Sequence, residues 1–347
     1  MASEKSFRNV PPFPESVPIV PMNTISLSGL RENDDVVERQ TLAACEELGF
    51  FFLDLRGDSI GDAMTECIDE LLLIGKDIFD LPESVKNEYL HDIPKSFLGF
   101  KPRGIAKTET EQPDRFEWFN LGQDGLMGTT DLQPLPDFVT RRIEFFKKFA
   151  DYGQQIATTL NRILAKRLSL PEDAFSALQR PTEPSGTVIR LIKAFASPDD
   201  ADLRTSMTHH TDFGTITLLA NVVGGLQILN PGGSASDGSA WRWVRPRPGC
   251  LIVNLGDAMV QWSGGALRSN VHRVRHAPGE QRSVDRYSLA MLFRPERDAS
   301  MRPRTRRDAR QVQDTDLTAW EWEVKRMMAF SRGEAQVESR GGTSVTA

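Results

Sequence analysis

Apolar residues recur at three- and four-residue steps through residues 137–168, at Val139, Ile143, Phe146, Ala150, Gly153, Ala157, Leu160, Leu164 and Leu168. That period predicts one long amphipathic helix lying on a large apolar surface. Shorter helical periodicity covers residues 36–48 and 61–79, and between them the run Phe50, Phe51, Phe52, Leu53 suits a buried strand. Before them, prolines 11, 12, 14, 18 and 21 confine the first 25 residues to an extended arm that ends in a strand-like stretch at 17–20.

From about residue 185 the pattern changes. Short β-rich runs at 187–195, 215–220, 225–229, 241–244, 250–255 and 287–293 are divided by turn residues, and 230–240 (NPGGSASDGSA) reads as a hairpin tip. Such spacing predicts an antiparallel sandwich or barrel. A last helix is expected over 317–330, rich in Trp320, Trp322 and Met327, and the final 15 residues read as disordered. The fold class is therefore α+β, with helices flanking a β core. Three regions are expected within one catalytic unit: 1–184 packing on the core, 185–300 forming it, and 301–347 as a C-terminal helix and tail.

Composition narrows the function. At 347 residues, with 39% hydrophobic and 26% charged residues, the chain can bury a large core. No apolar run approaches the roughly 20 residues of a membrane helix, and the polar, proline-rich start lacks the layout of a signal peptide. A cytoplasmic location is expected, without membrane, nucleic-acid or obligatory protein partners. The formal charge of -6 argues against a nucleic-acid footprint, and the basic cluster at 302–310 reads as a solvated loop. Cys45, Cys67 and Cys250 are odd in number and set in apolar surroundings, so they are expected as core thiols.

The candidate chemistry begins at His210 and Asp212, two apart beside a β run, where an extended backbone would put both on one face. His272, after another strand, would complete a set of two histidines and one carboxylate, which leaves one face of an iron(II) ion open. Taken alone, an H-x-D pair also suits ordinary hydrogen-bonded polar residues. Arg286 and Ser288 are likewise two apart, at the start of the apparent strand RYSLAMLF, and place a guanidinium fork and a hydroxyl on one face. That pair suits a carboxylate, although Arg286 alone is equally readable as a surface arginine.

In this order, the segments HTDFGTITLL, GGLQI, GCLIVNLGDAMVQWSGG, SNVHRV and RYSLAMLFRP resemble the Fe(II)- and 2-oxoglutarate-dependent dioxygenases related to isopenicillin N synthase, which are built on a double-stranded β-helix (jelly-roll) core. The N-terminal landmarks ELGFFFL, FDLPESVK and RFEWFNL agree, so the resemblance spans roughly residues 15 to 330. It implies that His210, Asp212 and His272 bind iron, that Arg286 and Ser288 hold the distal carboxylate of 2-oxoglutarate, and that O2 is the oxidant. In the synthase itself and in the ascorbate-using oxidases the equivalent of the Arg-x-Ser pair grips a substrate carboxylate instead; 2-oxoglutarate is expected here. A zinc hydrolase or a non-catalytic metal-binding jelly-roll would have no need of such a clamp.

The chain departs from its relatives on the strand before H-x-D. Where many of them carry a tyrosine that helps to hold the oxo acid, TVIRLIKAFAS has Ala194 followed by Phe195. Arg190 or Lys193 is the candidate replacement. By alternation from Ala194, Arg190 points into the pocket, and an arginine there needs a partner, an acidic neighbour being the plain alternative to a ligand. Phe195, Phe213, Trp118, Trp262 and Leu292 are candidate pocket residues, together suiting a small, flat, largely apolar substrate with one or two polar handles. The chain further resembles fungal tailoring oxygenases of secondary metabolism, including tropolone-forming, stipitaldehyde synthase-like enzymes. That implies ring expansion of a dearomatised polyketide, with plain hydroxylation or desaturation of another secondary metabolite as the alternative.

Overall fold

The alternating runs of the second half form two sheets that face each other. The computed structural model describes residues 7–8, 10–92, 96–105, 112–197, 199, 207–305, 312, 314–331 and 337–343. Its strands are β1 (Thr24–Ser26), β2 (Phe50–Asp54), β3 (Gly99–Lys101), β4 (Phe116–Gly122), β5 (Val188–Ala194), β6 (Met207–His210) and β7 (Ile216–Asn221). They continue with β8 (Leu226–Leu229), β9 (Trp241–Trp243), β10 (Cys250–Leu255), β11 (Arg268–Ser269), β12 (His272–Val274), β13 (Arg286–Leu292) and β14 (Arg340–Gly341). An eight-stranded sheet runs in the order β1-β2-β10-β7-β13-β5-β4-β3, and a four-stranded sheet in the order β6-β12-β8-β9. Strands β1 to β4 come from the first half of the chain, so the expected N-terminal region completes the sheet of the expected core.

Each face of the large sheet has its own partner. Phe51, Leu53, Leu191, Leu218, Val253, Leu289 and Met291 point outward and are buried with the apolar stripes of the helices Ser59–Phe79 and Ile143–Arg167. Each such side chain, fully buried, contributes about 1.5–3 kcal/mol. Gly153 lets the long helix approach: a Cβ there would lie 2.4 Å from the Met291 sulfur. The helix is shorter than its periodicity predicts, because Arg142 leaves helical geometry (φ -111°, ψ 17°) and separates it from the turn Asp137–Thr140. On the inner face Phe50, Phe52 and Ile252 meet Leu226, Ile228 and Val244 of the small sheet and its edge.

The arm expected at the N-terminus docks rather than trails, with Val20 N–H donating to the Trp243 carbonyl at 2.9 Å. The tail departs from the expected disorder where it is described. Strand β14 pairs with β11, and the Ser339 hydroxyl accepts from Val271 N–H at 3.1 Å, so backbone pairing orders a stretch that lacks apolar periodicity. The remainder of that tail, and residues 306–310 of the basic cluster, lie outside the described residues. All three cysteines are free and buried. Among the described residues no helix is long and apolar enough to cross a membrane.

Candidate active site

His210 closes β6 and His272 opens β12, and the two are directly opposed in the antiparallel ladder. Their rings lie 4.3 Å apart, and the Phe50 ring meets His272 edge-on at 5.3 Å. His210 Nδ1 bonds the Thr208 carbonyl at 2.8 Å and His272 Nδ1 bonds the Asn270 carbonyl at 3.2 Å. A carbonyl only accepts, so each Nδ1 carries the hydrogen and each Nε2 presents a bare lone pair.

Asp212 is aimed by tertiary contacts. β6 ends at His210, so strand alternation does not orient the carboxylate. Instead Thr217 Oγ1 and Asn254 Nδ2 donate to Asp212 Oδ2 at 2.7 and 2.8 Å. That leaves Oδ1 facing the two histidine Nε2 atoms at 3.8 and 3.9 Å. All three donors lie within 4.8 Å of one another, close enough for one ion. Two imidazole nitrogens and one carboxylate oxygen, gathered on one side, suit iron(II) with open positions. Burial, followed by the neighbouring His272, pushes His210 down to about 4. Burial opposes the charge on Asp212, yet the two imidazoles and the bonds from Asn254 and Thr217 outweigh it and pull the carboxyl down to about 2. Both groups are thus in the protonation states that metal ligation needs.

A further layer braces this loop. Asp257, at the start of the helix Asp257–Trp262, donates its N–H to the Asp212 carbonyl at 2.8 Å and accepts from the Thr211 hydroxyl at 3.0 Å. The same carboxylate pairs with Arg326 of the C-terminal helix Ala319–Ser331. Gly256 is confined by the same packing, since a Cβ there would sit 2.3 Å from the Gly214 carbonyl oxygen and 2.8 Å from that of Asp212.

On β13, Arg286 is 5% exposed and its Nη1 donates to the Ser288 hydroxyl at 3.0 Å. Its Nε and Nη2 are buried without a partner. A buried cation with two unmet donors is costly, so the site is incomplete without an anion. Burial pushes the guanidinium down to about 10. Ser288, Ala290 and Leu292 follow on the same face, and Leu292 pairs with Thr217, which holds Asp212. The fork therefore lies on the large-sheet face whose Thr217 and Asn254 hold Asp212, while the two histidines come from the facing small sheet, an arrangement that fits an elongated dicarboxylic oxo acid between them.

Of the predicted pocket residues, Arg190 faces inward on the rung Asn120–Arg190–Ala290. Among the described residues it has no acidic partner; the guanidinium instead lies over the Trp118 ring at 4.1 Å, and its Nε donates to Asn120 Oδ1 at 2.8 Å. Trp118 is on the adjacent rung of the same face, with Ile192 and Ser288. Leu292 is half-buried on that face, and Phe213 follows Asp212 with Arg326 over its ring at 5.6 Å. Phe195 lies beyond the end of β5, between Arg103 at 4.6 Å and Lys193 at 4.9 Å. Two expectations need correction. Trp262 belongs to the core: it is fully buried, stacked on Phe175 and bonded through its indole N–H to the Ser300 carbonyl at 3.1 Å. Lys193 is on the opposite face from Arg190 and reaches Asp285 at 3.3 Å, so it cannot replace the missing tyrosine. Ala194, and beyond it Phe116, follow Arg286 along its rung without offering a hydroxyl. Sequence reasoning missed Thr217, Asn254, Asp257, Arg326 and Asn120, because a polar residue in or beside an apolar run signals burial but not its partner.

Known proteins resemble the chain over most of its length. Residues 187–295 match the 2OG-Fe(II) oxygenase superfamily, and residues 18–136 match the N-terminal region of the non-haem dioxygenases in morphine synthesis. A 2-oxoglutarate-dependent dioxygenase of Aspergillus fumigatus is 30% identical over 312 residues, covering 84% of this chain and 80% of the relative. Another, of Glarea lozoyensis, is 31% identical over 280 residues and covers 80% of each. The crystal structure of a full-length Neurospora crassa protein in complex with alpha-KG and thymine superposes with a TM-score of 0.74 at 21% identity, over 91% of this chain and 98% of that one. The dioxygenase for auxin oxidation 1 of Arabidopsis thaliana, with 2-oxoglutarate, gives 0.64 at 23% identity, over 84% and 100%. The chain belongs to the 2OG-Fe(II) oxygenase superfamily and is a dioxygenase that uses Fe(II), 2-oxoglutarate and O2.

Proposed function

We propose that His210, Asp212 and His272 hold the iron, that Arg286 and Ser288 grip the distal carboxylate of 2-oxoglutarate, and that the enzyme removes hydrogen from a small, largely apolar secondary metabolite. The carrying observation is the buried Arg286 fork with Nε and Nη2 unpaired among the described residues, on the sheet face whose Thr217 and Asn254 hold Asp212. Iron, O2 and 2-oxoglutarate, when bound, supply the oxidising power to break an unactivated C–H bond, with 2-oxoglutarate converted to succinate and CO2. The chain's own residues do the rest. Thr217 and Asn254 keep one Asp212 oxygen occupied and the other free. The Thr208 and Asn270 carbonyls hold the imidazoles in the ligating tautomer. Leu219, Ala290 and Ile252, adjacent across the ladder, line the floor with apolar surface and exclude water.

Small-molecule oxidation is supported by the fold neighbours, one bound to thymine and one named for auxin oxidation, and a secondary-metabolite role by the fungal origin of the relatives. Ring expansion of a dearomatised polyketide to a tropolone is the product we assign within this class, with hydroxylation or desaturation as the outcomes that would replace it. Mass spectrometry after incubation with iron, 2-oxoglutarate and a panel of such substrates separates the three. The cosubstrate assignment is tested by adding 2-oxoglutarate to the iron(II) protein without oxygen. A visible charge-transfer band is expected, and its absence in fully iron-loaded protein would refute the assignment.

A further inference from the structure

We infer that Arg190 is the substrate's anion handle, so that the molecule oxidised carries a carboxylate or an ionised acidic enol or phenol beside the C–H bond that reacts. The inference rests on the iron and 2-oxoglutarate assignment above and extends it to the chemical class of the substrate.

The first support is the charge that remains when the site is filled. Three other cations on or beside this sheet have acidic partners: Lys101 pairs with Asp114 at 2.7 Å, Lys193 with Asp285 at 3.3 Å, and Arg294 with Glu323. Arg286 has none, but the distal carboxylate of 2-oxoglutarate provides one. A divalent iron, the Asp212 carboxylate, the two carboxylates of the oxo acid and Arg286 cancel in formal charge. Arg190 then stays uncompensated on the inner face, half-buried and without an ion-paired acid among the described residues. An enclosed cation of that kind is unfavourable until an anion arrives.

Geometry supplies the second support. Asn120 occupies Nε and the Trp118 ring covers one face of the guanidinium, which fixes the fork and leaves its Nη edge as the available donors. Arg190 stands on the rung of Ala290 and Leu219, between the rung that carries Ser288 and the rung that carries Leu292 and Thr217. The second of these rungs is the one that holds Asp212, through the Thr217 hydroxyl. A ligand held by its edge therefore lies against the centre of the pocket. Trp118 adds an indole Nε1 that is buried without a partner, a second donor on the same wall. An anionic oxygen on the fork satisfies the guanidinium, and a second oxygen in the plane of the indole would satisfy Nε1.

The test uses benzoate and benzamide, which match in shape and differ in charge. Ligand-observed NMR is run on the iron(II) protein without oxygen, with 2-oxoglutarate saturating so that Arg286 is taken. Wild type should bind benzoate about tenfold or more tightly than benzamide. R190M should lose that preference, while the midpoint of the 2-oxoglutarate charge-transfer titration moves by less than about twofold. R190K, which keeps the charge without the fork, should fall between them. Equal binding of the two probes by wild type, or no detectable binding of either, overturns the inference without recourse to a variant. A large rise in the 2-oxoglutarate midpoint in R190M also overturns it, since Arg190 would then serve the oxo acid in place of the absent tyrosine. Failure of the underlying assignment is read separately, as the absence of a charge-transfer band in wild type.

Discussion

Asp257 ties the C-terminal helix to the metal loop: Arg326 pairs with its carboxylate, while its backbone N–H donates to the Asp212 carbonyl at 2.8 Å. The Asp257 side chain is 2% exposed, so removing Arg326 leaves a buried carboxylate with the Thr211 hydroxyl as its remaining bond. Arg326→Met should therefore weaken metal affinity about tenfold, the usual scale for groups that orient a ligand from behind. Titration with cobalt(II), followed by its visible absorption, measures this. An affinity equal to wild type, in protein with unchanged circular dichroism, would remove the helix from the site's support.

His210 and His272 each supply one nitrogen to the cluster. His210→Ala or His272→Ala should abolish tight iron binding and turnover, yet leave the fold intact, because each ring's backbone hydrogen bond is to a carbonyl only two residues away and bridges no distant segments. Iron content after desalting and thermal melting are the paired measurements. Tight iron retention by either variant contradicts the ligand set.

Arg286→Ala should raise the KM for 2-oxoglutarate by about 10- to 100-fold, the value of a charge-assisted hydrogen bond lost from a buried site. The KM for the organic substrate should change far less. The reverse pattern in steady-state kinetics would give the fork to the substrate.

Glu38 is a structural counterpart to the site charges. It is fully buried between the helices Asp35–Glu47 and Ile143–Arg167, where Lys166 and Arg167 reach it at 2.9 and 2.6 Å. Burial raises its pKa, but the two cations outweigh that and hold it below the usual carboxylate range. A depressed folded pKa contributes stability above the unfolded value of about 4.3, lost as pH falls through the lower folded value. Glu38→Gln should cost about 2 kcal/mol at neutral pH, less than a fully buried pair because Lys166 can turn to water. Denaturant unfolding at several pH values should show the gap to wild type closing below about pH 4; a constant gap would mean that the ion pair contributes nothing.

The sequence by itself determined the elements and the chemistry they carry. Alternation along RYSLAMLF is a local property of extended backbone, so Arg286, Ser288, Ala290 and Leu292 share a face whatever lies beside them. The same rule separates Arg190 from Lys193, and helical period alone exposes the apolar stripe of residues 143–167. What it left open depends on which strands become neighbours. His272 meets His210 because β12 pairs with β6, and Asp212 is aimed because β7 and β10 bring Thr217 and Asn254 beneath it. Only that pairing set Trp118 and Asn120, rather than an acid, against Arg190, and only the packing of Phe175 and Ser300 drew Trp262 into the core. A residue's face follows from its own backbone, whereas its partner follows from contacts between segments far apart in the chain, and the site's charge balance is a property of partners.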